Sequence, residues 1–497
     1  QNGRQDQQPV YLTPVNTRPV FHLISYMVMF VGAAILTAAL AAKLMHDPEV
    51  VVYQLLESSG IVMLIGAILC FLTRGPIDLS RRDGFGIVTF GWLVVANVGA
   101  VPFLMTGVIT HPIDAMFETM SGFTTTGASI FTQIDELPYG ILYWRSLTQW
   151  LGGMGVLLLC VAILPFLGIG GMQIYRAEMP GPSKDRLTPR IANTAKLLYG
   201  VYVILTFVQT LLLKIAGMTW FDAINHAFCS LSTGGFSTHL AGPRIYNSPA
   251  IEIILIVFML IGGINFAWHF RAMRGDFRAY TKSPELKFYL LVWLVFSLVM
   301  TADLLVNHTY THVGMAFLDA FFQSTSIITT TGFATADYDV WPVLSKMLLF
   351  MLMFSGGCAG STTGGIKIMR SLVVLKTAMR EIRIFMQPQA VIKVKLGDQP
   401  VDHPIVAGIT AFVLAFIMIF AIGTLAMTFF VDDATTAASA VIACLGNIGP
   451  GFGGVGPSMN FSEIPSAGKL ILTLYMMLGR LELFTVLIIF VPAFCKK

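Results

Sequence analysis

The feature that most restricts what this chain can fold into is the recurrence of long apolar runs. A helix that crosses the hydrocarbon core of a bilayer needs about 20 mostly apolar residues. Ten segments of the 497-residue chain meet that demand: 20–40, 51–72, 87–109, 141–167, 197–216, 249–269, 286–306, 340–375, 405–431 and 470–494. Only 12% of the residues are charged while 55% are hydrophobic, too little charge to cover the surface of a soluble protein of this size. The expected fold class is therefore an all-α polytopic membrane protein of about ten transmembrane helices. Disordered, collagen-like and nucleic-acid-binding classes are excluded.

An even number of spans puts both ends on one side, and the positive-inside rule selects that side. Arg74, Arg81 and Arg82 fall on the same side as Arg176, Lys184, Arg186 and Arg190, then Arg271, Arg274 and Arg278, then Lys367, Arg370, Lys376 and Arg380. The opposite side holds only Lys43, Arg145, Lys214, Arg244, Lys346 and Lys469. Both termini of the multi-pass chain are expected to be cytoplasmic. The polar opening, Gln1 to Arg18, does not read as a signal peptide. The six cysteines show no CxxC spacing and the nine histidines no HxxH or HExxH, so neither a disulfide framework nor a metal site is legible.

Four of the external connections share a sub-pattern. They read DAMFETMSGFTTTGAS (114–129), DAINHAFCSLSTGGFST (222–238), DAFFQSTSIITTTGFAT (319–335) and DATTAASAVIACLGNIGPGFG (433–453). Each opens on Asp-Ala, a candidate N-cap, continues for about three helical turns, and reaches a glycine: Gly127, Gly234, Gly332 or Gly449. Those glycines lie 107, 98 and 117 residues apart, the mark of an internal repeat. Each repeat is expected to be a helix, a short re-entrant helix, a loop and a second helix. The chain then divides into a cytoplasmic N-terminus (1–19), an extra two-helix hairpin (20–83), repeat one (84–169), a linker (170–196), repeat two (197–270), a linker (271–285), repeat three (286–385), a linker (386–404) and repeat four (405–497).

Irregular backbone at membrane depth is tolerated only where protein buries it or where it lines an aqueous path. Thr-Thr-Thr-Gly stretches offer carbonyl oxygens, and four of them around one axis make rings that replace the hydration shell of a cation. The short helices end at these stretches, and their negative dipole ends favour a cation there.

On these motifs the chain resembles the membrane subunits of the Trk/Ktr/HKT superfamily of potassium transporters, and among them the Trk type. The resemblance also rests on GGMG (152–155), GGMQIYRAEMPGP (170–182), STGGFSTH (232–239), GGCAGSTTGG (356–365) and GRLELFTVL (479–487), and the extra hairpin favours the Trk type over the shorter Ktr type. It implies four membrane–pore–membrane repeats in pseudo-four-fold arrangement around a potassium pore, a homodimer and a place in the bacterial inner membrane. It also implies gating by a cytosolic nucleotide-binding ring of a separate, TrkA-like protein. No cofactor beyond the transported potassium ion is implied. Carried over by residue, the potassium-binding filter would be Thr125-Thr126-Gly127, Ser232-Thr233-Gly234, Thr330-Thr331-Gly332 and Asn447-Ile448-Gly449. The fourth segment departs from Thr-Thr-Gly, which predicts a looser filter than in tetrameric potassium channels.

Two gate candidates follow. The second helices of the repeats read WLGGMG, LIGGIN, FSGGCAG and MLGRLE, so Arg480 stands where the others carry glycine. An arginine in an apolar helix costs at least about 2.5–3.5 kcal/mol unless solvated or paired. It is either a fixed positive charge facing the pore below the filter or a member of an ion pair with Glu482 or Glu118. The run 355–367, with Gly356, Gly357, Gly360, Gly364 and Gly365, should break the third repeat's second helix. It is either a mobile loop that occludes the pore, as in the related family, or a static kink. It is not a phosphate-binding loop, lacking the Lys-Ser/Thr ending and a preceding strand.

The function this supports is potassium uptake through a channel-like pore. A symporter coupling potassium to protons or sodium would want ionisable groups along the path, and only Arg480 and Glu118 offer themselves. No nucleophile–base pair supports an enzyme. The potassium-channel-like subunit of an ion-pumping ATPase shares such repeats but is disfavoured by the 170–182 and 479–484 runs.

Overall fold

The structure, a computed structural model, describes residues 17–76, 81–162, 187–390, 392–397 and 399–490. The run 170–182 lies outside them, as do both chain ends. Among the described residues the chain is almost entirely helical, the exception being a two-residue antiparallel pairing of Lys395–Leu396 with Gln399–Pro400.

Among the described residues six helices are each long and apolar enough to span a membrane, and two helix pairs bent at a short break bring the number to eight if each pair is one span. These pairs are Pro249–Gly262 with Phe266–Met273, bent by 103°, and Ser466–Arg480 with Phe484–Phe490, bent by 109°. The other two expected spans take different forms. Segment 141–167 holds the helix Tyr139–Ala162, and its last residues, 163–167, lie outside the described residues. Segment 340–375 is divided into Val343–Met353 and Ile368–Met386 by the glycine-rich run. A break at membrane depth was expected in the third repeat alone. The structure breaks the second helix in the second and fourth repeats as well.

The first hairpin, Thr17–Leu44 and Glu49–Leu72, packs through small residues, as helices do where lipid is as apolar as their side chains. A Cβ on Gly66 would lie 2.9 Å from the Met29 backbone nitrogen, and one on Gly32 3.0 Å from that of Met63. The Ser59 hydroxyl donates to the Gly32 carbonyl at 2.8 Å. The connecting turn reaches the first repeat: Asp47 accepts from the backbone N–H groups of Tyr139 (3.0 Å) and Gly140 (2.8 Å), which are orphan donors at that helix start.

The four short helices are Pro112–Phe123, Trp220–Leu231, Val313–Ile328 and Ala434–Leu445. Their Asp-Ala dipeptides do not share one capping role. Asp433 is an N-cap, accepting from the Thr436 N–H at 2.8 Å. Asp222 sits three residues after the cap Thr219, whose hydroxyl it accepts at 2.7 Å while its own N–H donates back, a capping-box arrangement. Pro112 starts the first helix before Asp114, which instead accepts from Lys469 at 2.8 Å. The third helix begins at Val313, leaving Asp319 well inside it.

Loops that follow the first two short helices are joined by His239. Its Nδ1 lies 2.8 Å from Asp135 and its Nε2 3.5 Å from Asp222, with the Tyr246 ring beside it at 6.0 Å. The hydrogen bond to Asp222, aided by Asp135, outweighs partial burial and raises the His239 pKa above 6.5. A raised folded-state value means the contribution is fully present below about pH 6.5 and is lost as pH rises through the raised value. The melting temperature of the purified protein should therefore fall between pH 6 and pH 8.5, and His239→Gln should flatten that slope. An unchanged slope in the variant would remove His239 from the account.

Candidate functional site: a ring of four loops

Each short helix ends in the same way. The N–H groups of Thr126, Gly234, Thr331 and Ile448 each donate to the carbonyl five residues back, at 2.8 Å in all four loops. The preceding residues, Thr125, Thr233, Thr330 and Asn447, donate to the carbonyl three back, at 2.9–3.2 Å. This is the Schellman termination, which places the residue in question in the left-handed region. Accordingly φ is 51° at Thr125, 56° at Thr233, 54° at Thr330 and 55° at Asn447. Glycine normally takes that position, and a β-branched residue there is strained.

Two residues further on, φ is positive again, at Gly127 (82°), Gly235 (78°), Gly332 (84°) and Gly449 (104°). The intervening residues do not share it. The second loop thus runs one residue later than its sequence suggested: Gly235, not Gly234, is the counterpart of the other three glycines. The equivalent segment is Thr233-Gly234-Gly235, and Ser232 is the helix C-cap, matching Thr124 and Thr329. The tandem Gly234-Gly235 hid this, since either glycine fits the repeat.

These four glycines pack head to tail. A Cβ on Gly127 would lie 2.2 Å from the Gly234 carbonyl oxygen, one on Gly235 1.9 Å from that of Thr331, one on Gly332 1.9 Å from that of Ile448, and one on Gly449 2.8 Å from that of Thr126. The loops therefore close a ring in chain order. Behind the ring, each loop is stitched to its own short helix. Ser129 and the Ile130 N–H donate to Glu118, both at 3.0 Å; Thr238 donates to Asp222 at 2.7 Å; Thr335 lies 3.3 Å from Asp319; and Ser439 exchanges two 2.9 Å bonds with the Phe452 backbone. Close second-helix glycines let the helices approach: a Cβ on Gly152 or on Gly479 would lie 1.9 Å from the Phe123 or Leu445 carbonyl.

Of the gate candidates, Arg480 is buried and donates from Nη1 to the Thr362 carbonyl at 2.6 Å. Glu118 is bridged to the buried Arg145 at 3.0 Å, and Glu482 to Arg370 at 2.5 Å. So the two gate candidates meet each other: the arginine of the fourth repeat holds the glycine-rich run of the third.

That run, 355–367, is fully engaged. Gly356, Gly360 and Gly365 adopt positive φ (83°, 76° and 69°), and a Cβ on Gly357 or Gly364 would meet the Gly263 or Gly446 carbonyl oxygen at 2.6 or 2.3 Å. The Cys358 and Thr362 N–H groups donate to the Gly263 (2.8 Å) and Gly262 (3.2 Å) carbonyls, and Gly360 accepts from the Phe266 N–H at 3.1 Å. These are the very groups freed by the break at Gly262–Phe266. The Gly364 N–H donates to the Thr330 hydroxyl at 2.8 Å, and the Thr362 hydroxyl donates to the Leu231 carbonyl at 3.0 Å. The run therefore lies directly against the second and third loops of the ring.

Three buried charged groups that contact this run were hidden by residue type. Lys367 and Arg370 counted as cytoplasmic topology charges, yet both are buried; Lys367 reaches the Thr363 carbonyl and hydroxyl, and Arg370 lies 3.9 Å from the Phe412 ring centre. Glu285 accepts from the Ala359 N–H at 2.7 Å. For Lys367 and Arg370, their position at the end of the glycine run is the one signal that could have marked them; Glu285, far from it in the chain, carried none.

A family profile described as TrkH, cation transport protein, matches residues 54–496. The Trk system potassium uptake protein TrkH of Vibrio parahaemolyticus is 40% identical over 97% of this chain and 99% of its own length. That of Escherichia coli K12 is 39% identical over the same shares, and the Trk system potassium uptake protein TrkG of that strain is 33% identical over 97% and 99%. The crystal structure of the potassium transporter TrkH from Vibrio parahaemolyticus superposes with a TM-score of 0.90 at 37% identity, covering 97% of this chain and all of that one. With a ring of four loops inside a membrane-spanning helical fold, and with relatives matched end to end, the chain belongs to the TrkH family of cation transport proteins.

Proposed function

We propose that the chain carries potassium into the cell through a pore on the axis of the four-loop ring. The observation that carries this reading is the closed packing of Gly127, Gly235, Gly332 and Gly449 on the carbonyls of the adjacent loops. Left-handed residues on either side of one that is not let consecutive carbonyls face one way, whereas a strand alternates them. Four such segments supply stacked carbonyl rings in place of water around a dehydrated cation. The filter is then Thr125-Thr126-Gly127, Thr233-Gly234-Gly235, Thr330-Thr331-Gly332 and Asn447-Ile448-Gly449. Both termini are cytoplasmic in this reading, so the ring opens outward and the Arg480 contact lies on its inner side.

The gate is the Arg480–Thr362 contact with the run 355–367. Channel-like passage is favoured over symport by the pairing of the nearby acids, Glu118 with Arg145 and Glu482 with Arg370, which withdraws them from proton or sodium coupling. Family resemblance further points to a homodimer and to a cytosolic nucleotide-binding ring, TrkA-like, that moves the gate.

A methyl group at Gly332 has nowhere to go, so Gly332→Ala should lower the potassium-over-sodium permeability ratio in proteoliposomes while the protein still inserts. An unchanged ratio would contradict the carbonyl-ring assignment.

The gate gives a second test. At ~6 Å and an effective dielectric near 20, a fixed positive charge repels a passing cation by roughly 3 kcal/mol. That is on the order of a hundredfold in rate if all of it falls on the barrier, an upper bound because pore water screens it. Arg480→Ala also frees the Thr362 carbonyl. Rubidium flux per folded molecule should therefore rise in Arg480→Ala and stay near wild type in Arg480→Lys. Equal or lower flux in the alanine variant would leave Arg480 a structural anchor.

A further inference from the structure

The four loops are not equivalent at their middle position, and the difference is compensated from a neighbouring repeat. Thr126 and Thr331 place a hydroxyl there, each 2.7–2.8 Å from the C-cap hydroxyl of Thr124 or Thr329. Ile448 fills the position with hydrocarbon. In the second loop the residue is Gly234, which has no side chain at all, while its C-cap Ser232 still carries a hydroxyl.

Gln149, from the second helix of the first repeat, occupies the vacated space. Its Cδ lies 2.4 Å and its Oε1 2.5 Å from where a Gly234 Cβ would be. It is fully buried, its Nε2 donates to the Gly234 carbonyl at 2.6 Å, and its Oε1 accepts from the Phe236 N–H at 3.0 Å. One carboxamide therefore spans Gly234-Gly235-Phe236 and fixes the oxygen against which Gly127 packs. Counting three residues back from the first glycine of each aligned motif (Gly152, Gly262, Gly356 and Gly479) gives Gln149, Met259, Met353 and Met476, all buried. The polar residue occurs only opposite the loop that lacks a side chain.

We propose that Gln149 is a positioning residue for ion selectivity: it stands in for the missing side chain of the second loop and sets the direction of the Gly234 carbonyl. This rests on the carbonyl-ring reading above. A hydrogen bond from Nε2 holds one lone pair of that oxygen and leaves the other for the ion. Without the bond, a glycine pair with no side chain to anchor it is free to rotate its peptide.

The test compares potassium-over-sodium permeability ratios in proteoliposomes, normalised to folded protein by gel filtration. Gln149→Met, which installs the residue of the other three repeats, should lower the ratio by about fivefold, as loss of one buried hydrogen bond allows. The decisive variant is the pair Gln149→Ala with Gly234→Thr, which rebuilds in the second loop the side chain of the first and third, with Ser232 as its hydroxyl partner. That pair should recover the ratio, whereas Gly234→Thr alone, pressed against Gln149, should not. Gly332→Ala serves as the reference. If it leaves the ratio unchanged, the carbonyl-ring reading fails. If it lowers the ratio but Gln149→Met does not, or if the double variant is no better than either single one, the role of Gln149 is overturned and the ring reading stands.

Discussion

Every non-helical peptide placed at membrane depth must find its hydrogen-bond partners inside the protein, because hydrocarbon offers none. This structure meets that demand by pairing its irregular segments with each other. The break at Gly262–Phe266 exposes carbonyls and an N–H, and the glycine-rich run 355–367 supplies Cys358, Thr362 and Gly360 to meet them. Thr330 takes the Gly364 N–H and Arg480 takes the Thr362 carbonyl. The loop ring, the Arg480 contact and the helix breaks are therefore one hydrogen-bonded unit.

That unit couples the glycine-rich run to the loop ring. In the third and fourth loops the left-handed residue is not only a strained terminator. In the third loop its hydroxyl holds the glycine run, and in the fourth Asn447 donates to Thr126 at 3.0 Å and to the Met476 carbonyl at 2.9 Å, joining loops four and one. Threonine and asparagine in place of glycine at these positions carry a cost of about 1–3 kcal/mol each, which the Thr330 and Asn447 side chains offset by contacts that glycine could not make. A movement of 355–367 that broke the Thr330 contact would act on the ring directly, with no intermediate element.

Much of this was legible in the sequence, and the limits have physical reasons. Apolar runs fixed the class, and four loops at a repeat of about a hundred residues located the ring, since period and glycine are both local signals. The register of the second loop was not legible, because Gly234 and Gly235 are adjacent and only the backbone angles tell them apart. Breaks at 262–266 and 480–484 were missed because two glycines, or one glycine and an arginine, do not by themselves interrupt a helix in apolar surroundings. Lys367 and Arg370 were counted as surface charges because burial depends on what packs around a residue, not on its type. Gln149 has no sequence signature. Its meaning comes from the glycine it faces 85 residues later in the chain.

The central claim is that cations bind at the ring of the four loops. Diffraction from crystals soaked in thallium or rubidium, collected at the absorption edge, tests it most directly. The account predicts anomalous density on the axis enclosed by Thr126, Gly234, Thr331 and Ile448, lost on exchange into a cation too large to enter. Ordered density found only elsewhere, with the ring empty at saturating thallium, would contradict it.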